Sequence, residues 1–271
     1  MADESLQLTE AEEQEIEERS PPEARIVHAA VSKQGEDELQ RPISSLFWSG
    51  VAAGFAIMAS VTAQAALHKG LPDAPWRETV SSLGYTLGFL IVILGRMQLF
   101  TEQTMVPMLP LAKEPSRRNF VRVGRLWSAV FVGNMVGTAA VSALVVFGHT
   151  QSEEMLRAMV GISSKLLEKS PGEALLQGIP AGFLIASVAW IRSAADDSSF
   201  WIVIALTFPI AAGGFTHVIA GAAEAFLLMW SGRADLGWVL YGFIVPAFVG
   251  NVIGGTGLFA VLAHAQVKGE V

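Results

Sequence analysis

One titratable side chain, the imidazole of His217, stands inside an otherwise uncharged apolar run at residues 198–223. An ionisable group in such a run is costly to place in a membrane, so it usually serves a transport pathway. Imidazole suits that role because modest changes in its surroundings switch its charge near neutral pH. A buried structural histidine is the alternative, but His217 directly follows a predicted helix break. We therefore interpret it as a hydrogen-bond or proton donor in a pore.

A proline and a glycine pair interrupt this apolar run. Pro209 lacks a backbone N–H, and the Gly213-Gly214 pair disfavours a regular helix. In hydrocarbon, backbone groups freed by a break must face protein or a water-filled cavity. A second interruption, at residues 96–103, follows another apolar run. Matched interrupted segments are typical of a site near the membrane midplane, so the sequence predicts two broken helices that meet there.

The composition excludes an ordinary soluble domain. Of the 271 residues, 52% are hydrophobic and 16% are charged, which is typical of a polytopic membrane protein. A spanning helix needs roughly 20 apolar residues. Six uncharged stretches approach or exceed this length, at residues 43–67, 79–95, 126–151, 174–191, 198–223 and 236–266. We therefore predict an all-α integral membrane protein with six transmembrane helices, of which the second and fifth are broken. The absence of cysteine excludes disulfides and thiolate sites.

Two short motifs occur twice in the chain. Gly-Val-Ala-Ala-Gly-Phe at residues 50–55 returns as Gly-Ile-Pro-Ala-Gly-Phe at 178–183, and Phe-Val-Gly-Asn at 131–134 returns at 248–251. These matches indicate an internal repeat in which each half holds three spans. Because three is an odd number, the halves must cross the membrane in opposite senses, which is an inverted 3+3 repeat.

The motifs resemble those of the formate/nitrite transporter family over residues 40–266. Leu-Phe-Thr at residues 99–101 is similar to the family's loop in the broken second helix, and Gly-Phe-Thr-His at 214–217 is similar to its loop in the fifth. The resemblance implies a homopentamer of aquaporin-like protomers in a lipid bilayer, each with its own pore for small monovalent anions such as formate and nitrite, or their weak acids. It places Thr101 and Thr216 with His217 at the central site.

Several apolar positions match those that narrow the pore in this family. They are Tyr85, Phe89, Leu99, Phe100, Ile185 and Ile210. Taken singly, an aromatic or aliphatic residue is more often part of a helix-bundle core. The resemblance favours a constriction most strongly at Leu99, Phe100 and Ile210.

The sequence also departs from the family pattern. Family members commonly carry asparagine at the positions that match Gly182 and Gly221, and often glutamate at the position of Thr216. The histidine is thus retained while amide partners that would orient it or contact the ion are missing. This pattern resembles the divergent, YfdC-like branch of the family.

Four charged residues are candidates for the vestibules or the pore. Lys165 and Lys169 precede the predicted fourth helix, where the family often has a lysine that attracts anions; solvated loop lysines are the alternative. Glu102 follows the Leu-Phe-Thr loop, and Glu224 comes seven residues after His217. Glu224 either faces the pore, where it would repel anions, or marks the outer part of a half-helix.

The predicted function is transport of a small monovalent anion or its weak acid through a pore in each protomer, with His217 as the central donor. Two alternatives stay open. A neutral small-solute pore is favoured by the two glutamates and the missing asparagines, and a non-transporting membrane scaffold or sensor is the other. The sequence holds no Ser-His-Asp constellation, phosphate loop or metal-ligand cluster, so no enzyme activity, cofactor, metal or nucleic-acid partner is predicted.

Three segments divide the chain. Residues 1–42 are predicted to be an acidic N-terminal cytoplasmic tail, disordered over residues 1–20, in which 23–39 can form a surface helix. Residues 43–266 form the membrane domain, and 267–271 form a C-terminal tail. No hydrophobic signal segment occurs early in the sequence, so the first span is expected to direct insertion. Basic residues between positions 113 and 125 favour both termini on the cytoplasmic side of the inner (cytoplasmic) membrane.

Overall fold

The computed structural model describes residue 9 and residues 20–270 of the chain. Most of the segment predicted to be disordered therefore lies outside the described residues. Over the described part of the chain, all regular secondary structure is helical. The helices are α1 (Ala24–Gln40), α2 (Ile43–Gly70), α3 (Arg77–Leu94), α4 (Met108–Lys113), α5 (Arg117–Phe147), α6 (Glu153–Ser163), α7 (Pro171–Ala194), α8 (Ser199–Ala212), α9 (Val218–Trp230) and α10 (Trp238–Ala265).

Among the described residues, five helices are long and apolar enough to cross a membrane, namely α2, α3, α5, α7 and α10. The helix α9 is apolar but has only 13 residues. At a rise of about 1.5 Å per residue it covers about 20 Å, less than the roughly 30 Å of a hydrocarbon core. The predicted run at 198–223 is thus divided between α8 and α9. Large side chains such as Trp48, Trp201 and Tyr241 are exposed on the bundle, which suits a helical membrane protein in contact with lipid.

The first break separates α3 from α4. Residues 95–107 form turns rather than a regular helix. Arg96 takes a φ of 55°, a left-handed conformation that costs a non-glycine residue about 1–3 kcal/mol. The side chains of Leu99, Phe100 and Thr101 are fully buried. The interruption predicted at 96–103 therefore begins at the exposed Arg96 and enters the protein from Gln98 onward, where its backbone groups need hydrogen-bond partners.

The second break separates α8 from α9. Pro209 lies within the last turn of α8, which continues to Ala212. Gly214 then takes a φ of 66°, a left-handed conformation that glycine adopts without a Cβ clash. His217 follows in an extended conformation as the N-cap of α9. The chain thus leaves the helix at the glycine pair, and the proline alone does not end it.

Two closely packed helix pairs, α2 with α5 and α7 with α10, hold the breaks. At the crossings, Gly54 faces the backbone of Asn134, and Gly182 faces the backbone of Asn251. A Cβ at Gly182 would lie 2.7 Å from the Cα of Asn251 and 2.8 Å from its carbonyl carbon, so no side chain fits there. In a membrane, helices associate through such close packing of small residues. The glycines of the repeated motif therefore set the spacing within each pair.

Replacing Gly182 with alanine is expected to destabilise the protein, because the new methyl group must push α7 away from α10. Overpacking of this kind costs about 1–3 kcal/mol. The matched control is Gly161→Ala in α6, where an added Cβ would meet nothing within 4 Å. Thermal unfolding of the two variants in detergent checks the difference. Equal midpoints for Gly182→Ala and Gly161→Ala would contradict the described crossing.

The helix α1 lies against the bundle through an apolar stripe. Val27 and Val31 are buried against Met105 and Leu109, which belong to the first break and to α4. The structure has a helix at Ala24–Gln40, where the sequence predicted a surface helix at 23–39, and this helix is docked along one face. As a result, α1 covers one side of the first break.

Candidate functional site

The two breaks meet through a hydrogen bond between Thr101 and His217. Both side chains are buried, and Oγ1 of Thr101 lies 2.7 Å from Nε2 of His217. Nδ1 of the same ring accepts a hydrogen bond from the backbone N–H of Ala220 at 3.1 Å. A neutral imidazole has one N–H, and because Nδ1 is the acceptor here, the proton resides on Nε2. His217 therefore donates to the Thr101 hydroxyl as a neutral ring.

Aromatic packing and a helix terminus both act on the His217 ring. Phe89 meets the ring edge-on, with centroids 4.9 Å apart, and Tyr85 packs against Phe89 at 5.1 Å. The N-terminus of α9 directs a partial positive charge at the same ring. A second proton, on Nδ1, would also face the N–H of Ala220. The geometry therefore suits a neutral hydrogen-bond donor better than a cation.

Asn251 on α10 holds the loop that carries His217. Its Oδ1 accepts a hydrogen bond from the backbone N–H of Val218 at 2.8 Å. Its Nδ2 donates to the carbonyl oxygens of Gly178 and Thr216, each at 2.8 Å. One buried amide side chain thus satisfies backbone groups of the second break and joins them to α7.

Asn134 on α5 does the same for the first break. Its Oδ1 accepts from the backbone N–H of Phe100 at 2.9 Å, and its Nδ2 donates to the carbonyl oxygens of Gln98 and Gly50 at 2.8 Å. Sequence reasoning identified the repeated Phe-Val-Gly-Asn motif but assigned no contacts to its asparagines. The signal was available, since a buried amide at matched places in two broken helices is suited to bind freed backbone groups.

A cavity of about 100 Å³, here named the Lys169 cavity, reaches His217 from the N-terminal end of α7. Its walls include the predicted residues Tyr85, Lys165, Lys169, Ile210, Thr216, His217 and Glu224. Glu224 therefore lies on the wall of this cavity, a placement that the sequence left open.

The two lysines of this cavity have different partners. Nζ of Lys169 donates to Oε1 of Gln177 and to the carbonyl oxygen of Gly214, both at 2.5 Å, so it is bound to the second break. Burial lowers the pKa of Lys169, and the nearby carboxylate of Glu224 acts in the opposite direction. Lys165 instead pairs with the carboxylate of Glu78 at the cavity edge. Lys169 is thus the cation closer to the loop of His217.

A second cavity, of about 270 Å³, lies at the C-terminal end of α7 and is here named the Arg192 cavity. It is lined by Ala30, Gln34, Arg96, Glu102, Ala189, Arg192, Ser193 and Asp196. Nη1 of Arg192 lies 3.5 Å from Oε1 of Glu102, and both side chains are nearly buried. Among the described residues, no group of three or more His, Asp or Glu side chains is placed to hold a metal ion. Sequence reasoning missed Arg192, which directly follows an uncharged run.

The predicted constriction residues are all buried and all belong to the hydrophobic core. Two of them, Tyr85 and Ile210, also line the Lys169 cavity. The ring of Phe100 stacks on Phe248, with centroids 4.9 Å apart.

Thr216, predicted to lie at the central site, holds the second break. The hydroxyl of Thr216 donates to the carbonyl oxygen of Ala174 at 2.5 Å, so it anchors the second break to α7.

The two glycines that replace family asparagines have different structural settings. Gly182 lies at the crossing of α7 with α10 and has no room for a side chain. Gly221 lies in α9 beside the ring of Phe243, which occupies the space that a side chain at position 221 would take. Gly221 and Phe243 also both line the Lys169 cavity, so an aromatic ring occupies the place of the asparagine that family members commonly carry.

Comparisons with known proteins agree with this architecture. The model of the formate/nitrite transporter family matches residues 25–265. The chain is similar to the inner membrane protein YfdC of Escherichia coli strain K12, with 34% identity over 255 residues that cover 94% of this chain and 82% of the relative. It is 26% identical to the formate channel BtFdhC of Bacillus thuringiensis, over 87% of this chain and 93% of the relative. A solved pentameric formate channel with formate bound superposes with a TM-score of 0.72 at 19% identity, covering 84% of this chain and 98% of that one. The chain therefore belongs to the formate/nitrite transporter family.

Proposed function

We propose that each copy of the chain forms a pore for a small monovalent anion, or its weak acid, across the inner (cytoplasmic) membrane. The observation that carries this proposal is the buried hydrogen bond between Thr101 and His217, which joins the two helix breaks between cavities at opposite ends of α7. Formate is the first substrate to test, because two similar proteins are named formate channels. The family comprises transporters and channels rather than enzymes.

The proposed architecture has six spans arranged as an inverted 3+3, aquaporin-like repeat within residues 43–266, flanked by tails at 1–42 and 267–271. In this arrangement α3, the first break and α4 form the second span, and α8 with α9 forms the fifth. The matched contacts of Asn134 and Asn251 support the repeat. Likeness to a pentameric channel supports a homopentamer, and the basic loop near residues 113–125 supports cytoplasmic termini.

At the centre of the pore, His217 and Thr101 lower the free-energy cost of taking a charged substrate out of water. An anion attracted by Lys169 would leave water beside Phe89, where Nε2–H of His217 and the hydroxyl of Thr101 can donate hydrogen bonds to it. The buried side chains of Leu99 and Ile210 exclude water on the way. A substrate that crosses as a neutral acid avoids most of the remaining charge penalty.

Replacing Lys169 with glutamine is expected to raise the half-saturating formate concentration by about threefold to tenfold, because a fixed positive charge concentrates anions in the cavity. The salt dependence of uptake should weaken at the same time. Initial uptake rates at several ionic strengths check both effects. The control is Lys33→Gln on an exposed face of α1. An unchanged half-saturating concentration in Lys169→Gln would show that this lysine only anchors Gly214.

Uptake into proteoliposomes separates the proposed function from its alternatives. Formate, nitrite and glycerol are compared at pH values on either side of neutrality, with protein-free vesicles subtracted. Faster protein-dependent uptake of the two anions at acid pH supports weak-acid transport. Uptake of glycerol alone would indicate the neutral-solute pore, which the carboxylates Glu102 and Glu224 on the two cavities favour. No protein-dependent uptake from intact oligomers would indicate a scaffold or sensor.

A further inference from the structure

The Arg192 cavity contains an arginine whose donors are not fully used. Nε of Arg192 donates to Oγ of Ser199 at 3.2 Å. Its Nη1 lies 3.5 Å from Glu102 and its Nη2 lies 3.9 Å from Asp196. A charge-assisted hydrogen bond between such groups is normally about 2.7–2.9 Å long. The two Nη atoms thus keep only loose contacts while lying on a cavity of about 270 Å³.

This arrangement offers what a small carboxylate needs. A guanidinium binds a carboxylate through two parallel hydrogen bonds, and here both Nη groups are available for that geometry. Arg192 is nearly buried, which strengthens its attraction for an anion because little water screens the charge. The site also adjoins the centre of the pore along the chain, since Glu102 directly follows Thr101.

The site at His217 cannot by itself supply a proton to the substrate. Its Nδ1 is occupied as an acceptor for Ala220, so the ring is neutral and its only proton is on Nε2. A neutral imidazole donates a hydrogen bond to a formate-like anion but does not release that proton to so weak a base. Transport as a neutral acid therefore requires another proton donor, and a carboxyl group is chemically suited to this task.

We propose that Glu102 and Arg192 form a proton-loading site for small monovalent carboxylates, an inference that rests on the proposed weak-acid transport. An anion that enters from the Arg192 cavity, at the opposite end of α7 from Lys169, binds Arg192 and displaces the carboxylate of Glu102. Glu102 takes one proton from a hydronium ion in the vestibule, which leaves water, and passes that proton to the anion, so that Glu102 in its acid form plus the anion becomes ionised Glu102 plus the neutral acid. The neutral acid then moves on to Thr101 and His217, and ionised Glu102 returns to Arg192.

The charges around Glu102 are compatible with this exchange. On α7 and just beyond it, Arg192 and Asp196 face the cavity, and Arg96 lines it from the first break. Glu38 on α1 contributes a repulsive negative charge to Glu102. When the substrate engages Arg192, Glu102 loses its ion-pair partner at 3.5 Å, while Arg96 remains on the cavity wall. A carboxyl group that has lost its cationic partner in a buried site can carry a proton at lower cost.

The test measures formate uptake and internal acidification together in proteoliposomes that contain the full chain, at external pH 6 and after subtraction of protein-free vesicles. For unaltered chains whose Arg192 cavity faces the external solution, one proton is expected to enter with each formate. In Glu102→Gln, proton-coupled formate uptake is expected to fall by about 100-fold, because the anion must then cross with its charge. Any remaining uptake should be independent of pH and should carry current. The control is Asp197→Asn, an exposed neighbour outside the cavity, which should keep the unaltered ratio.

Unaltered proton coupling in Glu102→Gln would overturn the proton-loading site while leaving weak-acid transport intact. An absence of formate uptake by the unaltered chain would instead overturn the proposed function. If Glu102→Gln does not assemble because Arg192 has lost its partner, the double variant Glu102→Gln/Arg192→Gln removes both charges. Loss of proton coupling in the assembled double variant supports the inference, and retained coupling contradicts it. A purely structural role for the pair would alter stability but not the ratio of protons to formate.

Discussion

Replacing His217 with asparagine is expected to reduce protein-dependent formate uptake by about 100-fold while the protein still assembles. The side chain of His217 caps α9 and reaches Thr101. Asparagine is a good N-cap, so it can still accept the hydrogen bond from the Ala220 N–H, but it is too short to reach Thr101 in the same way. The loss removes a hydrogen-bond donor to the desolvated substrate, and such a bond contributes about 1.5–3 kcal/mol where the substrate crosses as an anion.

The corresponding alanine variant removes both functions of the ring. His217→Ala is expected to lose uptake to a similar extent and also to lower the unfolding midpoint, since an N-cap contributes about 0.5–2 kcal/mol. His149→Ala, at an exposed histidine, is the control and should behave like the unaltered chain. Uptake rates and detergent unfolding curves measured on the same preparations separate transport from stability. Uptake by assembled His217→Asn within about twofold of the unaltered rate, a difference below about 0.4 kcal/mol, would exclude a central role for the imidazole.

Replacing Asn251 with alanine is expected to reduce the free energy of unfolding by about 3 kcal/mol or more. The change leaves the N–H of Val218 and the carbonyl oxygen of Thr216 without their partner in the buried core. Each buried backbone group without a partner costs about 1–3 kcal/mol. Uptake should fall as well, because these two residues flank His217 and fix its position.

Asn119→Ala is the matched control for this experiment, since Asn119 makes its hydrogen bond to the Glu114 carbonyl oxygen at the protein surface. Asn134→Ala should resemble Asn251→Ala in stability because it frees the equivalent groups at Phe100 and Gln98. Chemical or thermal unfolding in detergent checks all three variants. A loss in Asn251→Ala no larger than that in Asn119→Ala would mean that the amide does not support the second break.

Helix positions were largely predictable because hydrocarbon imposes strong constraints on the sequence. Uncharged runs of spanning length identified α2, α3, α5, α7 and α10, and the match to the formate/nitrite transporter family confirmed the predicted membership. The exact helix end at the second break was less predictable. The helix α8 continues through Pro209 to Ala212, and the chain changes direction only at the glycines that follow. The continuation of α9 past Glu224 was also not predictable. The uncharged run ends before this glutamate, but the carboxylate of Glu224 faces a cavity, so the helix continues to Trp230.

Within the candidate site, the residue types were predictable and their pairings were not. His217 and Thr101 were predicted to lie at the central site, and the structure brings their side chains into contact. The contact between Arg192 and Glu102 joins residues 90 positions apart, and no local pattern specifies such a pairing. At Gly182, the sequence does not show what occupies the space beside the glycine. A glycine suggests a missing side chain, but only the packed helices show that the backbone of Asn251 fills the space.

Exchange of isotopically labelled formate shows whether the chain forms an anion pathway in the absence of any driving gradient. Vesicles containing the full-length chain are loaded with unlabelled formate, and labelled formate is added outside at equal concentration and equal pH, so that no net gradient drives flow. We expect exchange at least about tenfold faster than in protein-free vesicles, a difference of about 1.4 kcal/mol in the barrier, and we expect excess unlabelled nitrite to compete with it. Exchange no faster than in protein-free vesicles, from preparations in which the oligomer is intact, would mean that the chain forms no formate pathway.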